Sequence, residues 1–239
     1  MVLINPNTST ATTAMMTALA RRALGPSLPV RGVTAPRGPR MLTDPAALRA
    51  AAPEVLATGL HVLTQGDCAA LLVAAFGDPG LAALREATGA AGMPGAPGMA
   101  GAAGAAAPAG ATGIPVVGIG EAALLEAAAG GTPFGIATTT PLLADAIAER
   151  VTALGLVDRY TGLRLTGGAP ERLSADPALL LDRLGRAVRA CAERDGARAV
   201  VIGGGPLGEA AEELRARCEV RVVAPIPAAC RTITRLLTA

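Results

Sequence analysis

The sequence predicts an α/β fold in two similar lobes, each a parallel four-stranded sheet joined by crossover helices. Three observations carry this. Short β-rich apolar runs alternate with longer Ala/Leu/Arg segments of helical period. The runs number about eight and divide into two groups of four strands, each with three crossovers. The groups also continue into similar loops: small polar residues follow the first strand of each, and glycine follows the third.

In chain order, Val2 to Ile4 is the first strand and Thr10 to Leu24 the first helix. Val30 to Thr34, Ala69 to Ala75 and Val116 to Gly118 complete the first group, with the helix Pro45 to Leu63 between them. Phe134 to Ala137, Thr161 to Leu165, Ala199 to Ile202 and Val220 to Val223 form the second group. Its helices are Pro141 to Leu154, Pro177 to Arg194 and Gly208 to Arg217, several of them opened by Pro or Asp. A final helix carries Cys230. The expected division is residues 1–118 plus 226–239 in one lobe and 119–225 in the other. One segment breaks the plan: Gly89 to Gly113 is almost entirely Ala, Gly, Pro and Met, without charge or periodicity, and reads as a flexible insertion.

Composition narrows the chemistry. Aromatic residues make up only 1% of the 239, so a nucleic-acid surface built on base stacking has almost nothing to stack with. The formal charge is +2, with 21 basic and 19 acidic residues scattered along the chain, so no basic stripe marks a polyanion or a membrane surface. The longest apolar run is too short to span a bilayer. The chain has no lysine, which excludes a lysine Schiff base and a Walker-type phosphate loop. His61 is its only histidine, in a helical stretch, so neither a multi-histidine metal site nor a Ser-His-Asp triad is expected. Cys68, Cys191, Cys218 and Cys230 lack C-x-x-C spacing and fit a reducing cytoplasm as inert buried thiols; Cys230, near the end of the last strand, is the one to test.

Several loops offer ligand contacts. Asn5-Pro6-Asn7-Thr8-Ser9 opens a helix with backbone N–H groups, amides and hydroxyls in one turn, and Thr138-Thr139-Thr140 does the same in the second half. Either alone is an ordinary helix cap; two at matching places point to a two-sided pocket. Loops at the carboxyl ends of parallel strands are where open α/β sheets bind ligands, so a cleft between the lobes is the expected site. Phe76-Gly77-Asp78 and Gly204-Gly205-Pro206-Leu207 belong to it by the same logic. Asp78 fits an Asx turn as well as ligand contact, and Glu121 fits a cap of its own helix equally well. Gly118-Ile119-Gly120 and Gly203-Gly204-Gly205 resemble a dinucleotide fingerprint, but neither is followed by the acidic residue that holds a ribose.

Together, Asn5-Pro6-Asn7-Thr8-Ser9, Thr34-Ala35-Pro36-Arg37-Gly38-Pro39-Arg40, Ala74-Ala75-Phe76-Gly77-Asp78-Pro79-Gly80-Leu81, Pro115 to Ala123 and Phe134 to Thr139 resemble the aspartate/glutamate/hydantoin racemase superfamily, nearest the hydantoin racemases. The resemblance covers nearly the whole chain apart from the Gly89 to Gly113 insertion. It implies two flavodoxin-like lobes about a pseudo-twofold axis, a cofactor-free site between them, proton exchange at a carbon next to a carbonyl, and self-association into a homo-oligomer. In the family two cysteines serve the two faces of the stereocentre; here Ala75 and Gly204 stand at those positions. Two-base racemisation requires a group within about 3 Å of each face, and neither residue can carry a proton.

The expected function is a racemase-family isomerase, or a related lyase, acting on a small carboxylate, hydantoin or similar cyclic amide without the cysteine pair. Asp78 and the Thr138 to Thr140 hydroxyls are its candidate groups. The alternative is a small-ligand-binding module that keeps the pocket and has lost the chemistry.

Overall fold

The computed structural model describes residues 1–90 and 113–238, so most of the Gly89 to Gly113 insertion lies outside the described residues. All eight expected strands are present. β1 (Val2–Asn5), β2 (Arg31–Thr34), β3 (Leu71–Val73) and β4 (Val116–Gly118) form one sheet in the order β2-β1-β3-β4. β5 (Phe134–Thr138), β6 (Tyr160–Leu165), β7 (Ala199–Ile202) and β8 (Arg221–Val223) form the second in the order β6-β5-β7-β8. Every pairing is parallel. The same order is thus used twice, as two related lobes require.

The helices are α1 (Thr10–Leu24), α2 (Pro45–Thr64), α3 (Leu81–Thr88), α4 (Ile119–Ala127), α5 (Ala144–Ala153), α6 (Pro170–Ala175), α7 (Pro177–Glu193), α8 (Gly208–Arg217) and α9 (Pro225–Thr238). Local chemistry explains where several of them start. Ser9 accepts from Thr12 N, Asp44 from Ala47 N and Asp176 from Leu179 N, each satisfying an otherwise orphaned amide. Pro45 and Pro177 open α2 and α7, where the missing N–H costs nothing. The stretch expected as one helix from Pro141 divides: Pro141–Leu143 is a tight 3-10 turn, Leu143 N donating to Thr140 O, and α5 begins after it.

Alternate side chains of the strands serve opposite faces. Leu3, Leu72 and Val117 pack with Met16 and Leu19 of α1 and with Ile226 and Ile233 of α9. Ile4, Val73 and Val116 pack with Val55 and Val62 of α2 and Leu84 of α3. In the second sheet, Phe134, Ile136 and Val201 meet α4 and α5, while Val200, Ile202 and Val222 meet α7 and α8. Sheets covered on both faces explain the uninterrupted apolar strands. Each such aliphatic side chain contributes about 1.5–3 kcal/mol through burial, and with few aromatics available the core depends on their number. Among the described residues, no helix is long and apolar enough to cross a membrane.

Candidate active site

The loops leaving the carboxyl ends of β1, β2, β3, β5, β6 and β7 converge on one cavity of about 270 Å³. The first half supplies Asn7, Met41, Leu42, Ala74, Ala75 and Phe76. Thr139, Thr140 and Leu143 come from the second, with Gly203-Gly204-Gly205-Pro206-Leu207, Glu209 and Glu213. Both lobes therefore contribute to one site, as ligand binding at carboxyl strand ends requires.

The Asn5 to Ser9 turn divides its labour. Asn5 is wholly buried, and its Nδ2 donates to Asn7 Oδ1 (2.9 Å), Ser9 O (3.1 Å) and Thr13 Oγ1 (2.9 Å). Ser9 caps α1, and Thr8 N donates to Pro39 O. Asn7 alone of this turn lines the cavity. Its Oδ1 accepts from Asn5 Nδ2 and from Ser9 N, both at 2.9 Å, which assigns the amide orientation. Asn7 Nδ2 has no partner among the described residues.

The second half is built in parallel. Thr138 Oγ1 donates to Gly203 O (2.7 Å) and contacts Thr140 Oγ1 (3.1 Å), pinning the loop after β7 against the end of β5. Thr138 is therefore internal, whereas Thr139 and Thr140 line the cavity. At Gly204, an added Cβ would stand 3.0 Å from Leu207 Cδ1 and Cγ, so the Leu207 side chain fills the space that a residue there would need. At the other family position, Ala75 presents a methyl group. The two places where the resemblance puts thiols thus hold no ionisable atom.

Asp78, Gly77 and Glu121 do not line the cavity. Asp78 Oδ1 accepts from Gly120 N (2.9 Å) and Oδ2 from Glu121 N (2.7 Å), capping the start of α4. Arg150 Nη2 from α5 lies 3.3 Å from Asp78 Oδ2 and 2.7 Å from Glu121 Oε2. Arg85 of α3 closes the group with Nη1 3.0 Å from Glu121 Oε2 and Nε donating to Val116 O. Burial pushes the Asp78 carboxyl up from its ordinary value, while Arg150 and the two backbone donors pull it back down. The expected candidate acid is therefore a structural strut behind the Ala75-Phe76 loop. It also explains the first glycine pair: a Cβ at Gly118 would fall 2.3 Å from Asp78 Cγ, so these glycines admit a carboxylate.

Cys230 packs under α1 with its Sγ facing Ala20 O, and Cys191 lies against β5; neither lines the cavity. Burial pushes the Cys191 thiol up to about 11 and the Cys230 thiol up to about 12. His61 is exposed on α2. The raised thiols carry a pH prediction. The unfolded chain releases these protons near 9.0, whereas the folded chain keeps them to about 11 and 12, so rising pH favours unfolding across that window and not below it. Melting temperature falls from pH 9 upward, and Cys230→Ala flattens the fall; equal slopes for both proteins would contradict the assignment.

Sequence reasoning missed Met41, Leu42 and the apolar wall formed by Leu173, Pro177, Leu180 and Leu181. One signal for the wall was present. Leu179, Leu180 and Leu181 follow one another at the start of α7, and three consecutive leucines cannot share one helix face.

The Asp/Glu/hydantoin racemase family model matches residues 1–233. A hydantoin racemase from Paenarthrobacter aurescens is 26% identical over 243 residues, taking in 99% of this chain and 90% of the relative. The structure of allantoin racemase from Klebsiella pneumoniae has a TM-score of 0.82 at 28% identity, covering 99% of this chain and 86% of that one. Allantoin racemase from Pseudomonas fluorescens shares the fold at a TM-score of 0.80 and 23% identity, over 99% and 90% of the two chains. With two lobes of repeated strand order and a cavity between them, the chain belongs to the Asp/Glu/hydantoin racemase family.

Proposed function

We propose that the protein is a cofactor-independent isomerase that binds a small uncharged cyclic amide of the hydantoin type, with an apolar substituent, and exchanges the proton on the carbon next to its carbonyl. One observation supports this reading above others: no Arg or His stands among the described residues lining the cavity, and its ionisable side chains are Glu209 and Glu213. A dicarboxylate or amino-acid substrate would meet two carboxylates and no compensating cation. A hydantoin ring instead offers carbonyls to Asn7 Nδ2 and the hydroxyls of Thr139 and Thr140. The wall of Leu173, Leu180, Leu181 and Phe76 suits an alkyl substituent. At about 270 Å³ the cavity lies just below the roughly 300 to 1,000 Å³ of typical ligand pockets, which suits a small ring. The names of the relatives, hydantoin racemase and allantoin racemase, point the same way.

Calorimetric titration with 5-isopropylhydantoin, aspartate and glutamate tests the charge argument. Binding of the hydantoin and none of the two acids is expected; the reverse order would overturn it. A second reading, a binding module without turnover, is favoured by Ala75 and Gly204 at the thiol positions. Proton exchange separates the two.

A further inference from the structure

We propose that Glu209 is the group that takes the proton in this site, a role resting on the isomerase reading above. Removal of a proton from carbon needs a base in contact with it, and the described lining narrows the choice to two side chains. Glu213, one helical turn further along α8, is engaged in an ion pair with Arg217. Glu209 has no ion pair or hydrogen bond through its side chain among the described residues, and it lies in the first turn of α8. That turn directly follows the Gly204 to Leu207 loop, so Glu209 belongs to the side of the cavity where the family resemblance places its second thiol. Asp78, Cys191 and Cys230 stand away from the cavity: the Asp78 side chain is wholly buried and held by Gly120 N, Glu121 N and Arg150. Cys191 and Cys230 sit in the cores of their lobes.

The step balances without a cofactor. The Glu209 carboxylate accepts the proton from the ring carbon as the C–H bond breaks, and the electron pair moves into the adjacent carbonyl to give an enolate. Asn7 Nδ2 is the donor available to that oxygen. Water returns a proton to the carbon from the opposite face, and the hydroxide left behind takes the proton from the Glu209 carboxylic acid. Ligand and protein end with the charges they had at the start, and the stereocentre is inverted.

The test uses the full chain with L-5-isopropylhydantoin in D₂O, following both loss of the ring C–H signal and loss of optical rotation. Glu209→Gln is expected to slow exchange at least 100-fold, since general-base contributions are about 10² to 10⁴. Its affinity for the hydantoin stays within about threefold, because the amide fills the same space without taking a proton. Glu209→Asp restores part of the rate. Glu212→Gln, on the same helix and off the cavity lining, leaves the rate unchanged. Exchange at the full rate in Glu209→Gln would overturn the assignment while leaving the isomerase reading intact. A wild-type protein that binds the hydantoin and exchanges nothing would overturn both.

Discussion

Glu121→Ala is expected to destabilise the fold by about 3–5 kcal/mol, the usual result of removing one partner from a buried ion pair. The side chains of Arg85 and Glu121 are 8% and 4% exposed, so water cannot replace the lost carboxylate. Arg85 would keep only its contact to Val116 O, and Arg150 would keep Asp78 at 3.3 Å. For a chain of this length each kcal/mol moves the melting temperature by roughly 2–4 °C, so a fall on the order of 10 °C is expected. The exposed pair gives the contrast: Arg164 is 42% exposed, and loss of its partner in Asp195→Ala should leave the melting temperature almost unchanged. Equal melting temperatures for the two variants would show that the buried cluster does not act as a strut. The cluster joins α3, α4, α5 and the loop after β3, so it also fixes where Ala75 and Phe76 stand.

Asn7→Asp should slow proton exchange by roughly 10- to 150-fold, the equivalent of about 1.5–3 kcal/mol for a hydrogen bond to a charged group. The substitution keeps an oxygen for Asn5 Nδ2 and Ser9 N to donate to, so the turn is retained. It removes the donor available to the developing enolate and puts a carboxylate in its place, so charge repulsion adds to the lost hydrogen bond and the slowing given is a minimum. Affinity for the neutral ligand, measured by calorimetry, should fall by only about 0.5–1.5 kcal/mol, because that bond is weaker before charge develops. Loss of affinity and rate in equal measure would make Asn7 a binding residue alone.

Much of the fold was legible because it is encoded locally. The helices Thr10–Leu24 and Gly208–Arg217 have the expected bounds, and the Asp44-Pro45 and Asp176-Pro177 starts are capped as their residue types dictate. Strand ends were less legible. The third strand, expected over Ala69 to Ala75, pairs only over Leu71–Val73, because after Ala74 the chain turns through positive φ at Gly77, Asp78 and Gly80. The site was legible in part. Asn7, Phe76, Thr139, Thr140 and the Gly204 to Leu207 loop line the cavity, and each directly follows a strand end. Asp78 and Glu121 looked like site residues for the same reason. The partners of Asp78 are 42, 43 and 72 residues away at Gly120, Glu121 and Arg150, and those of Glu121 are 36 and 29 away at Arg85 and Arg150; no local pattern announces pairings at such distances. Glu209 was hidden among the charges of a surface helix; only the closure of β7 against β5 brings its turn to the cavity.

On the proposed function, this cavity exchanges a carbon-bound proton without the two thiols of its family. Proton NMR of the wild-type protein with L-5-isopropylhydantoin in D₂O, against a protein-free control, is the decisive measurement. Loss of the ring C–H signal well ahead of the control is expected, unaffected by prior alkylation of accessible cysteines. A signal that decays at the control rate, under conditions where calorimetry shows the ligand bound, would contradict it.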